Sequence, residues 1–220
     1  MSLSILFKDE LKGFYKSKVM MVLWIGLPVL SILFFLFSPD TGDEMPLTVV
    51  TSLVVSSIGG TLGAVMLTVS IINEKGNKVY DLFLIRPIKR RNILISKFLS
   101  VYLCIAIAVS LSLMIGLALD YYRFGGIPED MVKSTIDSII ISLSMISISA
   151  SAGVLIGVIS PSVLVGAVLV IYGGNQISIL PAVPALFEIS NEILFAIVSS
   201  AAMTVLLLSI AIVIFGKKQF

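Results

Sequence analysis

Apolar residues fall in six long blocks along the 220-residue chain, at 19–37, 47–72, 93–119, 136–159, 162–179 and 193–215. A helix crosses ~30 Å of hydrocarbon with ~20 apolar residues, and each block reaches or approaches that length. Lipid offers the backbone no hydrogen-bond partner, so such blocks are expected to be helices. The expected fold class is therefore an all-α integral membrane protein with six transmembrane helices in one domain, 1–220. Ahead of the first block, Leu3, Leu6, Phe7, Leu11, Phe14 and Tyr15 recur at a spacing of three to four. Lys8, Asp9, Lys12 and Lys16 fill the opposite arc, and only Ile5 and Glu10 interrupt the pattern. This predicts an amphipathic helix within residues 1–18 that lies on the membrane surface, with Phe7, Leu11 and Phe14 in the acyl boundary. The plainer alternative is a topology anchor. Pro28 is expected to kink the first span.

Charge orients the blocks. Four lysines precede the first span, seven Lys and Arg lie between the second and third (Lys75, Lys78, Arg86, Lys89, Arg90, Arg91, Lys97), and Lys217 and Lys218 close the chain. The opposite side holds only Arg123 and Lys133. By the positive-inside rule both termini and the 73–92 connection are cytoplasmic, and the expected location is the cell membrane. Lys97, at the inner end of the third span, is expected to snorkel toward headgroups. Charged residues make up 13% of the chain, against about 25% in soluble domains. Inner cations suit an anionic leaflet, and nothing points to nucleic acid. No cleavable signal is expected, since the first span follows 18 mostly amphipathic residues and lacks a small-residue cleavage site.

Several chemistries are missing. The chain has no His, which removes Ser-His and Cys-His catalysis and the commonest transition-metal ligand. It has no GxxxxGK[ST] phosphate loop, so it is not expected to hydrolyse ATP by itself. No catalytic residue, metal site or cofactor is expected in the chain. The span centres carry no charged residue, unlike ion-coupled pumps; Asp120 and Asp137 sit at the outer ends. The single Cys104 lies mid-span and is expected to be a packing residue. The acidic outer loops (Asp43-Glu44, Glu129-Asp130) are expected to be solvated charge.

The connection at 73–92 is the most informative segment. The second span continues into Glu74 and Gly76, and Val79, Leu82, Phe83 and Arg86 then share one face of a short helix that Pro87 ends. An apolar face held at the cytosolic rim suits docking into another protein's groove. The alternative is an ordinary positively charged loop.

The order Glu74, Gly76, Leu82 to Leu84, Pro87, Ile93 and Lys97 resembles the cytoplasmic loop of the ABC-2 type transporter permeases. The opening Phe7-Lys8-Asp9-Glu10-Leu11 resembles that family's interfacial helix, and six spans with both termini inside match its topology. The resemblance implies a permease subunit of an ABC exporter. By that resemblance it would pair with a second permease copy, as homodimer or paralogous heterodimer, and with a cytosolic ATP-binding cassette ATPase that binds ATP and Mg. Glu74, Gly76, Val79, Leu82, Phe83, Arg86 and Pro87 would then form the ATPase-coupling region. The family's minor contact at the fourth-to-fifth turn is here only Ser160-Pro161-Ser162. A stand-alone channel and a small integral-membrane enzyme remain the alternatives, although the one polar helix face is the fourth span's serines and no acid or Cys cluster is present.

Small residues mark close packing: Gly59, Gly60, Gly63 and Ala64 on the second span, and Ser149, Gly153 and Gly157 on the fourth. The fourth span's serines are expected to bond within their own helix, packing rather than lining a route. Gly173, Gly174, Asn175 and Gln176 are expected to interrupt the fifth span near a pathway or outer gate, and residues 177–187 to dip back into the outer leaflet.

Overall fold

The computed structural model of the chain describes residues 3–37, 47–77, 90–124, 129–186 and 191–217, and every regular element among them is helical. The elements are α1 (Leu3–Tyr15), α2 (Lys18–Phe37), α3 (Leu47–Gly76), α4 (Arg90–Phe124), α5 (Glu129–Ile159), α6 (Val163–Leu169), a π turn (Val170–Gly174), α7 (Asn175–Ser178), a 3₁₀ turn (Leu180–Ala182), α8 (Val183–Leu186) and α9 (Glu192–Lys217). Among the described residues six stretches are long and apolar enough to cross a membrane, from Lys18–Phe37 to Glu192–Lys217. Val22, Ile25 and Leu36 on α2 and Leu194, Val198 and Val205 on α9 are all well exposed. In water such faces would aggregate; in hydrocarbon they meet a solvent of their own kind. The bundle is consistent with a multi-pass membrane protein.

The spans alternate in direction. The start of α2, the end of α3, the start of α4, the α5–α6 turn and the end of α9 therefore share one end of the bundle. Helices α3, α4 and α5 form the centre: 67% of the α5 span is buried, against 22% for α2, for the fifth span and for α9. Several helices outgrow the expected blocks, among them α5, which starts at Glu129. Helix α3 adds Asn73, Glu74, Lys75 and Gly76 at its C-terminus, and α4 starts at Arg90 and ends at Phe124. Hydropathy locates the hydrocarbon, but a helix stops only where its backbone bonds stop.

The α3–α5 contact is the most extensive, and small residues make it possible. A Cβ on Gly153 would lie 2.6 Å from both Cα and O of Ala64, and one on Gly157 would lie 3.1 Å from Cα of Thr68. The backbones thus touch, and Thr68 Oγ1 donates to the Gly153 carbonyl at 2.7 Å across the contact. With lipid as apolar as any side chain, association rests on such dispersion contacts and interhelical hydrogen bonds. Helix α2 continues through Pro28. It is held to α4 by the Ser31–Ser112 hydroxyl pair (2.7 Å) and by Ser112 Oγ donating to the Leu27 carbonyl (2.8 Å). Cys104 is buried in the main core.

The fifth span departs from expectation. Gly173 and Gly174 do not interrupt the helix; they close a π turn, in which Asn175 N–H donates to the Val170 carbonyl five residues back. The extra residue per turn is accommodated without leaving helical geometry. After Ser178 the chain makes its 3₁₀ turn, with Pro181 and Ala182 buried and Ala182 packed near Ile141, Met145 and Ala196. Phe187, the end of the expected dip, lies outside the described residues.

Gly153→Ala is expected to destabilise the bundle by about 1–3 kcal/mol, because its Cβ meets backbone that cannot rotate away. Gly173→Ala, whose Cβ would meet nothing within 4 Å, is expected to be close to neutral. Thermal unfolding of both variants in the same detergent checks this; equal melting temperatures would contradict the backbone contact.

Candidate functional site: a lysine enclosed between two glutamates

Glu10 looks like a flaw in the sequence of α1, and the structure explains it. Leu6, Glu10 and Phe14, four residues apart, share one face of the helix, and Leu6 and Phe14 are buried. That face packs on α4, where Lys97 lies two turns from the N-terminal end. The sequence-based expectation that Lys97 snorkels is corrected: its side chain is 1% exposed. Its Nζ sits 2.9 Å from Glu10 Oε1 and 2.5 Å from Glu74 Oε1, and donates to Ser70 Oγ at 3.3 Å. An ammonium has three N–H donors, and here three acceptors take them. Snorkelling is unnecessary because α1 and α3 bring the acceptors to the amine.

Each partner is positioned by its own element. Glu74 is in the last turn of α3, one turn beyond Ser70, whose hydroxyl donates to Glu74 Oε1 at 3.3 Å. Phe14 places its ring 5.8 Å from Nζ, within cation–π range. Ser100, one turn along α4 from Lys97, donates to the Phe7 carbonyl at 3.3 Å and so fixes α1 lengthwise. Two carboxylates share one cation, and Glu74 Oε2 is buried without a hydrogen-bond partner. Burial pushes the Glu10 carboxyl above its ordinary value of 4.5, with Lys97 opposing that rise and Glu74 adding to it.

Of the residues singled out in the 73–92 connection, Glu74 joins this cluster and Gly76 ends α3 in open space. Val79, Leu82, Phe83, Arg86 and Pro87 lie outside the described residues. Phe7 and Leu11 are partly buried and Phe14 is buried against the bundle. In the fifth span, Gly173 and Gln176 face outward, Gly174 is buried, and Asn175 Oδ1 accepts from Ser57 Oγ at 3.1 Å. The four residues are thus divided between two faces.

A second polar junction lies at the far end of the same helix pair. Asp120 of α4 is fully buried, and its Oδ2 accepts from Thr48 N–H at 2.9 Å and from the Thr48 hydroxyl. Thr48 is the second residue of α3, so the carboxylate takes one of the N–H groups that a helix start leaves unpaired, at the positive end of the dipole. Asp120 was placed at a span end by sequence, but nothing local marks its cap role.

The serines of α5 also differ from expectation. Ser151 bonds within its own turn, but Ser142 donates to the Ser52 carbonyl of α3 and Ser147 pairs with Thr204 of α9. No family model matches this chain, and no curated protein is significantly similar to it.

Lys97→Met leaves two adjoining carboxylates without their cation, and is expected to cost about 3 kcal/mol, as for a buried pair that loses one partner. Glu10→Gln keeps the Lys97–Glu74 pair and is expected to cost about 1 kcal/mol. The pH dependence has a definite sign. Because Glu10 binds a proton more readily folded than unfolded, its effect on stability is most favourable below 4.5 and falls as pH rises through the raised folded value. The stability of wild type relative to Glu10→Gln should therefore decline over that window. Unfolding in mixed micelles as a function of pH measures both effects, and a Lys97→Met variant as stable as wild type would refute the ion cluster.

Proposed function

We propose that this chain is the membrane-spanning permease subunit of an ABC-2 type exporter, set in the cell membrane with both termini in the cytoplasm. The observation that carries the proposal is the Lys97 cluster, where α1, the end of α3 and the start of α4 meet. Glu74 precedes, and Lys97 follows, the connection that the family resemblance assigns to ATPase docking. A push on that connection would act on α3 and α4 and, through Glu10, on α1. In this proposal α1 is the interfacial helix, and Val79, Leu82 and Phe83 form the docking stripe of the coupling helix. A separate cytosolic ATPase binds ATP and Mg, a second permease copy completes the pathway, and the chain itself is not catalytic. The outward face of Gly173 and Gln176 borders the pathway or outer gate.

Orientation is tested first. Cysteine placed at Asn77 in a Cys104→Ser background is expected to react with impermeant reagents only from the cytoplasmic face, and at Gly42 only from outside. Labelling of Asn77 from outside intact cells would overturn the topology.

Coupling is tested by separating docking from transmission. Leu82→Asp with Phe83→Ala removes two apolar anchors, each typically worth about 2 kcal/mol or more at an interface, a loss of about 30-fold in affinity per anchor. This double variant is expected to release a phosphate-loop ATPase that co-purifies with wild type. Lys97→Met is expected to retain the ATPase and lower the transport obtained per ATP hydrolysed. Wild-type ATPase capture by the double variant would sink the docking assignment.

A further inference from the structure

A groove of about 370 Å³ opens between α4, α5 and α9 on the outside of the bundle. Its depth follows from the helices that form it. Ser144 lies fifteen residues into the 31-residue α5, and Thr204 twelve into the 26-residue α9. Both are near the middle of their spans, which in a bilayer is the hydrocarbon midplane. Side chains lining a groove there, on a lipid-facing surface, are expected to be apolar. Ile140, Leu143 and Val205 are, but Ser144, Ser147, Ser200 and Thr204 also line it, together with Tyr102.

Packing accounts for three of those hydroxyls. Ser147 and Thr204 pair at 2.8 Å, joining α5 to α9, and Ser200 donates to the Ile197 carbonyl one turn back. Ser144 is different. It is 7% exposed, and its hydroxyl hydrogen-bonds to nothing among the described residues, in contrast to Ser142 and Ser147 on either side. A hydroxyl held in an apolar surrounding without a partner is costly, and lipid chains cannot supply one. The chemistry of a molecule that would supply it follows from the walls. No charged residue lines the groove, so a charged headgroup would find no counter-ion. The volume holds roughly a dozen methylene-sized groups at about 30 Å³ each, and the opening faces the acyl chains.

We propose that this groove is a binding site for an uncharged lipophile that carries a single hydrogen-bonding group, entering sideways from the bilayer. Ser144 is its polar contact, the Ser147–Thr204 pair its second acceptor, and Ile140, Leu143 and Val205 its apolar walls. The site depends only on the geometry of α4, α5 and α9, and stands or falls separately from the transport proposal.

The test uses the full chain in lipid nanodiscs and three photoreactive probes on one chain: dodecanol carrying a mid-chain diazirine, the corresponding alkane, and the corresponding carboxylate. Adducts are located by peptide mass spectrometry. The alcohol is expected to label Tyr102, Leu143 and Val205 above the lipid-exposed Val22 and Ile25 of α2, and unlabelled dodecanol should compete for the groove adducts alone. Ser144→Ala is expected to lower groove labelling by about fivefold, the effect of one net hydrogen bond, to the level of the alkane. Ala201→Phe, which fills the groove from an exposed position, should abolish it. Even labelling of α2 and the groove, or groove labelling that survives Ala201→Phe, would overturn the site. Equal labelling by the carboxylate, or a Ser144→Ala variant that labels like wild type, would overturn the recognition of an uncharged hydrogen-bonding ligand.

Discussion

Helix α3 is held at three points, by a different interaction at each, and the rest of the bundle is arranged around that hold. At its start the Asp120 carboxylate takes the Thr48 N–H and hydroxyl. At its middle its backbone touches α5 at Ala64 and Gly153. At its end Glu74 meets Lys97. Hydrocarbon explains why all three are needed. It exerts no apolar pressure to drive helices together, so position along a neighbour must come from contacts that work at one register only. Backbone contact through glycine and a carboxylate on a helix start are both of that kind.

The two charges involved belong to α4, yet they suit α3. Lys97 is near the N-terminal end of α4, where the helix dipole disfavours a cation, and Asp120 is near the C-terminal end, where it disfavours an anion. Because α3 runs antiparallel, each charge lies beside the end of α3 that the same dipole favours. On α4 alone this placement would be a defect; in the pair it selects antiparallel packing and fixes the offset between the helices. The residues at either end of α4 therefore act as register marks for its neighbour.

This also explains which parts of the fold were legible in the sequence. The six spans follow from block length, and the capacity of the second and fourth spans for close packing from Gly60, Gly153 and Gly157, because each property belongs to one helix alone. That these two spans meet each other, while Gly59 and Gly63 face α4, is a tertiary fact. The buried state of Lys97 is another, since a lysine at a span end snorkels unless other helices bring acceptors to it. Glu10 on the apolar face of α1 was the available signal, an acid where periodicity calls for an apolar residue. Gly173-Gly174 misled for a related reason: loss of two Cβ atoms removes helix propensity, but Asn175 reaching Ser57 and Gly174 fitting near Ala152 are tertiary effects that retain the helix as a π turn. The serines of α5 divide in the same way, according to whether a neighbouring helix brings an acceptor closer than the preceding turn.

The choice of charge at the α1 junction has a mechanical consequence. Leu6 and Phe14 alone would bind α1 to α4, but apolar contact is non-directional, and a slide of one or two ångströms would cost it little. With Lys97 almost wholly enclosed, the same slide strips an ammonium of acceptors that water cannot replace. Buried ion pairs often add little net stability over apolar packing, so their use here is better understood as stiffness than as strength. A stiff link passes displacement instead of absorbing it. In the proposed transport cycle, movement of the Glu74 end of α3 would thereby be carried to α1 and α4 together.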